Sequence, residues 1–202
     1  MKLILASASP RRAEILRNAG IPFEIRATDV DESRLTDETP AQYVGRLALA
    51  KAVSAADRNP ELGDHTLVLG ADTVVVVDTD ILGKPVSPED ARRMLARLSG
   101  RSHEVHTGVA LLQISGKQPR VVEEVTRVHF TQLTDREIED YIAIGEPFDK
   151  AGAYAIQGMA GRYVTRIEGC YFNVMGLPLA RVWTLLREFG LGNSAEDRKD
   201  TK

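Results

Sequence analysis

Residues 66–78, TLVLGADTVVVVD, constrain the fold more than any other stretch of this sequence. A near-continuous aliphatic and β-branched run reads as a central strand covered on both faces, so other elements must pack above and below it. Asp72 interrupts the run. A carboxylate in such a strand costs desolvation free energy unless a metal ion, a cation or hydrogen bonds compensate it. In an open α/β sheet, a residue of this kind near a strand end faces the ligand crevice. With 202 residues, 43% of them hydrophobic, the chain should bury roughly 70% of its unfolded surface. A full core is available without disulfides or metals.

The segments around this strand alternate in type. KLILAS reads as a short buried strand, and Ser9, Pro10 and Gly20 mark the N-cap, first turn and stop of a helix. Ile21, Phe23 and Ile25 alternate as a second strand, followed by an acidic loop. Residues 39–56 form a helix capped by Thr39, with Pro40 in its first turn and Val44, Leu47 and Ala48 on its apolar stripe. The same spacing places Lys51 on that stripe. After a turn at 78–85, SPEDARRMLARLSG is a capped helix ending at Gly100. Segments 103–114 and 120–133 alternate as an antiparallel pair joined at Gly116. Thr134 and Glu137 have capping-box spacing for a helix ending near Gly145. A Gly-rich loop at 146–161, a strand at RYVTRIE and a helix at LPLARVWTLLREFG before Gly190 complete the order, and residues 191–202 read as a polar tail. Crossover-like and hairpin-like connections together predict an α/β fold with a mixed β-sheet and flanking helices.

Overall charge narrows the function classes. A formal charge of −3 and a pI near 5.9 argue against a nucleic-acid or membrane-surface binder. The single Cys170 cannot form an intramolecular disulfide and reads as a small buried residue in a reducing compartment. No signal peptide is visible, and no apolar stretch approaches the roughly 20 residues of a membrane span. A cytoplasmic protein is expected. The P-loop, dinucleotide and GxSxG motifs are absent. His103 and His106 fall on opposite faces of one strand, which argues against a zinc pair.

What remains is a set of charges at element ends. SASPRR, at the start of the first helix, offers serines, helix N–H groups and the guanidiniums of Arg11 and Arg12 to an anion. Taken alone it reads more readily as a capped helix with two solvated arginines. Lys51 on its helix stripe and Lys84 in GKP add cations, although either could simply snorkel. Four such cations suit a polyphosphate. Asp29, Asp31 and Glu32 supply carboxylates, as does Asp149 beside Lys150. Mg²⁺ is held by one or two carboxylates together with phosphate oxygens and water. Glu32 and Asp72 are the two acids expected to serve.

The motifs LASASPRR, LGADTVV, GKP, FDKAGAYAIQG and NVMGLPL, in this order, closely resemble the Maf family of nucleotide pyrophosphatases, once known as septum-formation inhibitors. The resemblance covers residues 3 to 190. It implies one domain over 1–190, a mixed-sheet fold with two lobes around a central cleft, similar to inosine triphosphate pyrophosphatases. It also implies hydrolysis of nucleoside triphosphates to the monophosphate and pyrophosphate with a divalent metal, Mg²⁺ or Mn²⁺, and a homodimer. Asp72 matches the family's general base, and Ser7, Arg12, Glu32, Lys51 and Lys84 match its polar cleft positions. Within that scheme the metal is held through Glu32 and Asp72, and Arg12, Lys51 and Lys84 stabilise the leaving pyrophosphate. Ser9, with the first-turn N–H groups, positions a phosphate. Arg11, Thr73 and Gln157 resemble the specificity positions of the group acting on dTTP and UTP, whereas a sibling group acts on 7-methyl-GTP. An amide such as Gln157 pairs a donor and an acceptor with the O=C–N–H edge of uracil or thymine. The rival of another class is a division regulator that binds nucleotide without hydrolysing it.

Overall fold

In a computed structural model, residues 1–114, 116 and 118–191 are described. The expected tail beyond Leu191 and two residues of the turn around Gly116 lie outside them. The chain runs β1 (Lys2–Leu5), α1 (Pro10–Asn18), β2 (Glu24–Ile25), α2 (Pro40–Asp57), β3 (Thr66–Val77), β4 (Asp80–Leu82) and α3 (Pro88–Leu98). It continues with β5 (Ser102–Gln113), β6 (Arg120–Phe130), α4 (Asp135–Ala143), β7 (Val164–Glu168), α5 (Tyr171–Val174) and α6 (Leu179–Glu188). The strands make one seven-stranded sheet in the order β2-β1-β3-β5-β6-β7, with β4 added to β3. β1 pairs in parallel with both β2 and β3, whereas β3–β5, β5–β6, β6–β7 and β3–β4 are antiparallel. The sheet is mixed, as expected.

β3 runs through both ends of the molecule, and its side chains show how the layers are built. Leu67, Leu69 and Ala71 pack with Ala13 and Leu16 of α1 and Val182 and Leu186 of α6. Further along the same face, Val75 and Val77 pack with Met94 and Leu95 of α3 and Ile138 and Tyr141 of α4. On the opposite face Val68 meets Ala48, Ala52 and Ala55 of α2. That helix lies very close to the sheet. A Cβ on Gly70 would stand 2.0 Å from the carbonyl oxygen of Ala48, and one on Gly108 would stand 2.3 Å from that of Val44. Only glycine allows the approach, which brings the polar end of Lys51, one turn beyond Ala48, against the strand.

The topology leaves one gap. β1 pairs with β3 only as far as Leu5 opposite Leu69, extended by the Ala6 N–H to the Leu69 carbonyl at 2.8 Å. β4 begins only at Leu82 opposite Val75. Between them, among the described residues, no strand pairs with that edge of β3. Asp72 and Thr73 occupy the gap.

Several local expectations are met. Thr39 with Gln42, and Thr134 with Glu137, form complete capping boxes. Others are corrected. The second strand is only Glu24–Ile25, because the parallel pairing reaches only Ile4 and Leu5. The Gly-rich loop is wound into 3₁₀ turns at Glu146–Asp149, Ala151–Ala153 and Met159–Tyr163. Cys170 is half-buried rather than buried. It leads into the short helix α5, which is too brief to show helical periodicity, and both its backbone groups bond the Thr126 hydroxyl. His103 and His106 do lie on opposite faces: His103 is buried against the Tyr154 hydroxyl, and His106 sits between Glu104 and Glu123.

Candidate functional site

The gap in β3 opens into a cleft of 680 Å³. The β1–α1 loop contributes Ser7 and Ser9, and the first turn of α1 contributes Arg11 and Arg12; the loop before α2 contributes Glu32; and α2 contributes Lys51. Asp72 and Thr73 come from β3, Lys84 from the turn after β4, and Gln157 from the segment between the 3₁₀ turns. All the site residues expected from the sequence therefore share one cavity.

At its floor, Lys51 Nζ lies 2.7 Å from Asp72 Oδ1 and 2.6 Å from Glu32 Oε1. Lys51 and Asp72 are each nearly buried, which answers why a lysine lies on the apolar stripe of α2. The loop carrying Glu32 is pinned to the same helix. Tyr43 donates its hydroxyl to the Glu32 carbonyl at 2.8 Å, and Arg46 donates to the Ser33 carbonyl at 3.0 Å and to Glu38 at 2.6 Å. Burial alone would discourage ionisation of Glu32. The hydrogen bond and charge of Lys51, with the charges of Lys84 and Arg12, outweigh it and hold its carboxyl below the usual carboxylate range.

These two carboxylates already converge on one cation. Their hard oxygens suit Mg²⁺ or Mn²⁺, which takes one or two carboxylates and completes its shell with phosphate oxygens and water. No group of three or more His, Cys, Asp and Glu suited to a metal exists among the described residues. The carboxylates that could contribute to such a site are Glu32 and Asp72.

Arg12 is held differently. Its Nε donates to the Gly176 carbonyl at 2.8 Å, Nη1 to Ser7 Oγ at 3.0 Å and Nη2 to Thr73 Oγ1 at 3.2 Å. Every one of these acceptors is neutral, so no carboxylate is bonded to it directly. Burial disfavours the cation and lowers its pKa, while the fields of Asp72 and Glu32 favour it. Ser7, buried at the end of β1, thus supports Arg12 and also accepts the Ser9 N–H at 3.2 Å. Ser9 is the N-cap by position, but its hydroxyl makes no cap bond. That leaves the hydroxyl available to a ligand.

Arg11, the preceding residue, donates from Nη1 to Asp149 Oδ2 at 2.9 Å and from Nη2 to the Asp149 carbonyl at 3.3 Å. Thr73 Oγ1 lies 2.9 Å from Thr107 Oγ1, and Thr107 donates to the Asn173 carbonyl at 3.3 Å. Lys84 and Gln157 are exposed at the cleft. Sequence reasoning assigned nothing to Tyr43, Thr107, Asn173 or Gly176. Gly176, at φ +106°, adopts a backbone conformation that favours glycine and points its carbonyl at Arg12. Its place within NVMGLPL was the signal available; the partner was not.

No helix among the described residues is long and apolar enough to cross a membrane. A family profile described as Maf-like protein matches residues 2–189. A dTTP/UTP pyrophosphatase of Koribacter versatilis (strain Ellin345) is 51% identical over 192 residues, covering 95% of this chain and 96% of the relative. Another protein of that name, from Symbiobacterium thermophilum, is 50% identical over 189 residues and 94% of each chain. Among solved structures, the Staphylococcus aureus Ham1 protein has a TM-score of 0.52 at 13% identity, covering 96% of this chain and all of the other. That likeness is one of fold.

Proposed function

Because this chain belongs to the Maf-like protein family, whose relatives at about half identity are named dTTP/UTP pyrophosphatases, we propose that it hydrolyses dTTP and UTP to the nucleoside monophosphate and pyrophosphate, clearing such nucleotides from the pool. The observation that carries this reading is the cleft floor, where two carboxylates share one ammonium within the electrostatic field of a guanidinium held only by neutral acceptors.

Glu32 and Asp72 would hold a divalent cation, which would supply charge neutralisation for the triphosphate. Asp72 takes the proton from the water that attacks the α-phosphorus. Lys51 secures Oδ1, and among the described residues no hydrogen bond engages Oδ2, the oxygen that receives the proton. Arg12 has one further hydrogen on each of Nη1 and Nη2, and with Lys51 and Lys84 it stabilises the departing pyrophosphate. Ser9 and the first-turn N–H groups of α1 seat a phosphate. Arg11, Thr73 and Gln157 choose the base, with Gln157 pairing the O=C–N–H edge of the pyrimidine. The reaction belongs to the cytoplasm, where a lone Cys170 stays reduced. The working unit is residues 1–190, two lobes around the cleft, assembled as a homodimer.

The test is pyrophosphate release from dTTP, UTP, 7-methyl-GTP and ATP in the presence of Mg²⁺. Turnover of the first two is expected. Preference for 7-methyl-GTP would reassign the chain to the sibling specificity, and binding without turnover of any of the four would make it a nucleotide sensor.

A further inference from the structure

We infer that Asp149 is the positioning residue for base recognition: by pairing with Arg11 it converts that arginine from a polyphosphate-seeking cation into a directed donor for a neutral base. The inference rests on reading the cleft as a pyrimidine-nucleotide site. Arg11 and Arg12 stand side by side at the start of α1, yet their partners differ in kind. Arg12 meets only neutral oxygens. Arg11 gives two bonds to Asp149, one to the carboxylate and one to the backbone carbonyl. Pairing with a carboxylate, here one shared with Lys150, offsets part of the guanidinium's charge and fixes its direction, which weakens it as a phosphate seat. It keeps its remaining in-plane N–H groups, and these suit the carbonyl oxygens of a pyrimidine.

Asp149 is held in turn by a framework that reaches the segment carrying Gln157. Its second carboxylate oxygen accepts from Lys150, whose ammonium also donates to the Glu146 carbonyl at 2.9 Å. The Glu146 carboxylate accepts the Tyr141 hydroxyl at 2.7 Å and the Met159 N–H at 3.2 Å. The Tyr141 hydroxyl accepts the Ala155 N–H at 3.2 Å. Ala155 and Met159 bracket Gln157. One chain of hydrogen bonds therefore fixes both the acid that seats Arg11 and the backbone that carries Gln157, although the two base-facing side chains come from distant parts of the sequence. The carboxylate of Asp149 is 61% exposed, and rim pairs of this kind contribute only about 0–1 kcal/mol to stability. Its removal should leave the fold intact.

The experiment compares kcat/KM for UTP, dTTP, ATP and GTP in the wild type, Asp149→Asn, Arg11→Ala and the double variant, each in Mg²⁺. Asp149→Asn is expected to lower the UTP-to-ATP selectivity about tenfold, the scale of one directed charge-assisted hydrogen bond. Part of that change should appear as a lower KM for ATP, because the guanidinium, no longer offset by a carboxylate charge, attracts any triphosphate. In the Arg11→Ala background the same substitution should leave selectivity unchanged; with Arg11 present, Asp149→Glu should retain part of the selectivity that Asp149→Asn loses. Equal losses on all four substrates, an unchanged ratio, or additive effects in the double variant would overturn the inference while leaving the proposed reaction standing. A wild-type protein inactive on both UTP and dTTP would overturn the reaction and the inference together.

Discussion

Arg11 and Arg12 differ by one position and by the charge of what they touch, and that difference sets what each is expected to do. Arg12→Ala removes a cation that no carboxylate bonds directly and should lower kcat/KM for every nucleotide by about 100-fold or more, the scale of losing one preorganised electrostatic group. Arg11→Ala should instead compress the ratio between pyrimidine and purine substrates. Parallel losses across the panel for both variants would refute the division. Asp72→Asn should abolish pyrophosphate release while UTP still binds, measured by calorimetry alongside the assay; retained turnover would remove Asp72 from the chemistry. Away from the cleft, His103 is buried on β5 against Phe130 and Tyr154, and its Nδ1 has no hydrogen-bond partner. Burial, aided by the charge of His129, pushes its pKa down to about 3. As pH falls below the unfolded value near 6.5, the unfolded chain binds a proton that the folded chain refuses. Stability should therefore fall by about 1.4 kcal/mol per pH unit from this group. Urea titrations of wild type and His103→Phe between pH 6.5 and 4.5 should diverge in slope by that amount, and parallel lines would contradict it. From the sequence alone, the two histidines were correctly placed on opposite faces, but the orphaned Nδ1 depends on aromatic neighbours 27 and 51 positions away.

Helix α2 is the element on which the site turns. Its start was legible, because a threonine cap, a first-turn proline and a glutamine at the third position act through local bonds that the structure shows. Its closeness to the sheet was not, since Gly70 and Gly108 carry no mark of what crosses them. Gly108→Ala would place a methyl group 2.3 Å from the backbone carbonyl oxygen of Val44, a clash that no side-chain rotation relieves. The expected cost is about 1–3 kcal/mol, with the helix lifted and the Lys51–Asp72 contact loosened. A denaturant midpoint lowered together with a raised KM for UTP would bear this out; full stability and unchanged KM would count against it. The short elements were the ones misjudged. β2 shrinks to the length that its parallel partner reaches, and α5 is a single turn whose existence depends on contacts from α5 to β5 and β6, such as Asn173 to the Val105 carbonyl and to Thr126.

At the scale of the whole molecule, one strand threads two packing layers, and the ligand is expected to bridge them. Ligand binding confined to the folded state stabilises it by about 2.7 kcal/mol at a hundred times Kd. For a chain of this size each kcal/mol raises Tm by about 2–4 °C, so a non-hydrolysable UTP analogue with Mg²⁺ should raise Tm by about 5–10 °C. Arg12→Ala should lose most of that shift and Asp72→Asn should keep much of it; an unmoved wild-type Tm would argue against nucleotide binding. By itself, the sequence determined the strands and helices with strong periodicity, the caps, the mixed sheet class and the residue types of the site, because each of these arises from neighbours a few positions apart. Only the tertiary structure decided that Asp72 lies where β1 has ended and β4 has not begun, that Arg12 reaches a carbonyl 164 positions away, and that Arg11 meets a carboxylate 138 positions away. Strand register and close packing fix such partners, and both are properties of the assembled sheet that no local pattern encodes.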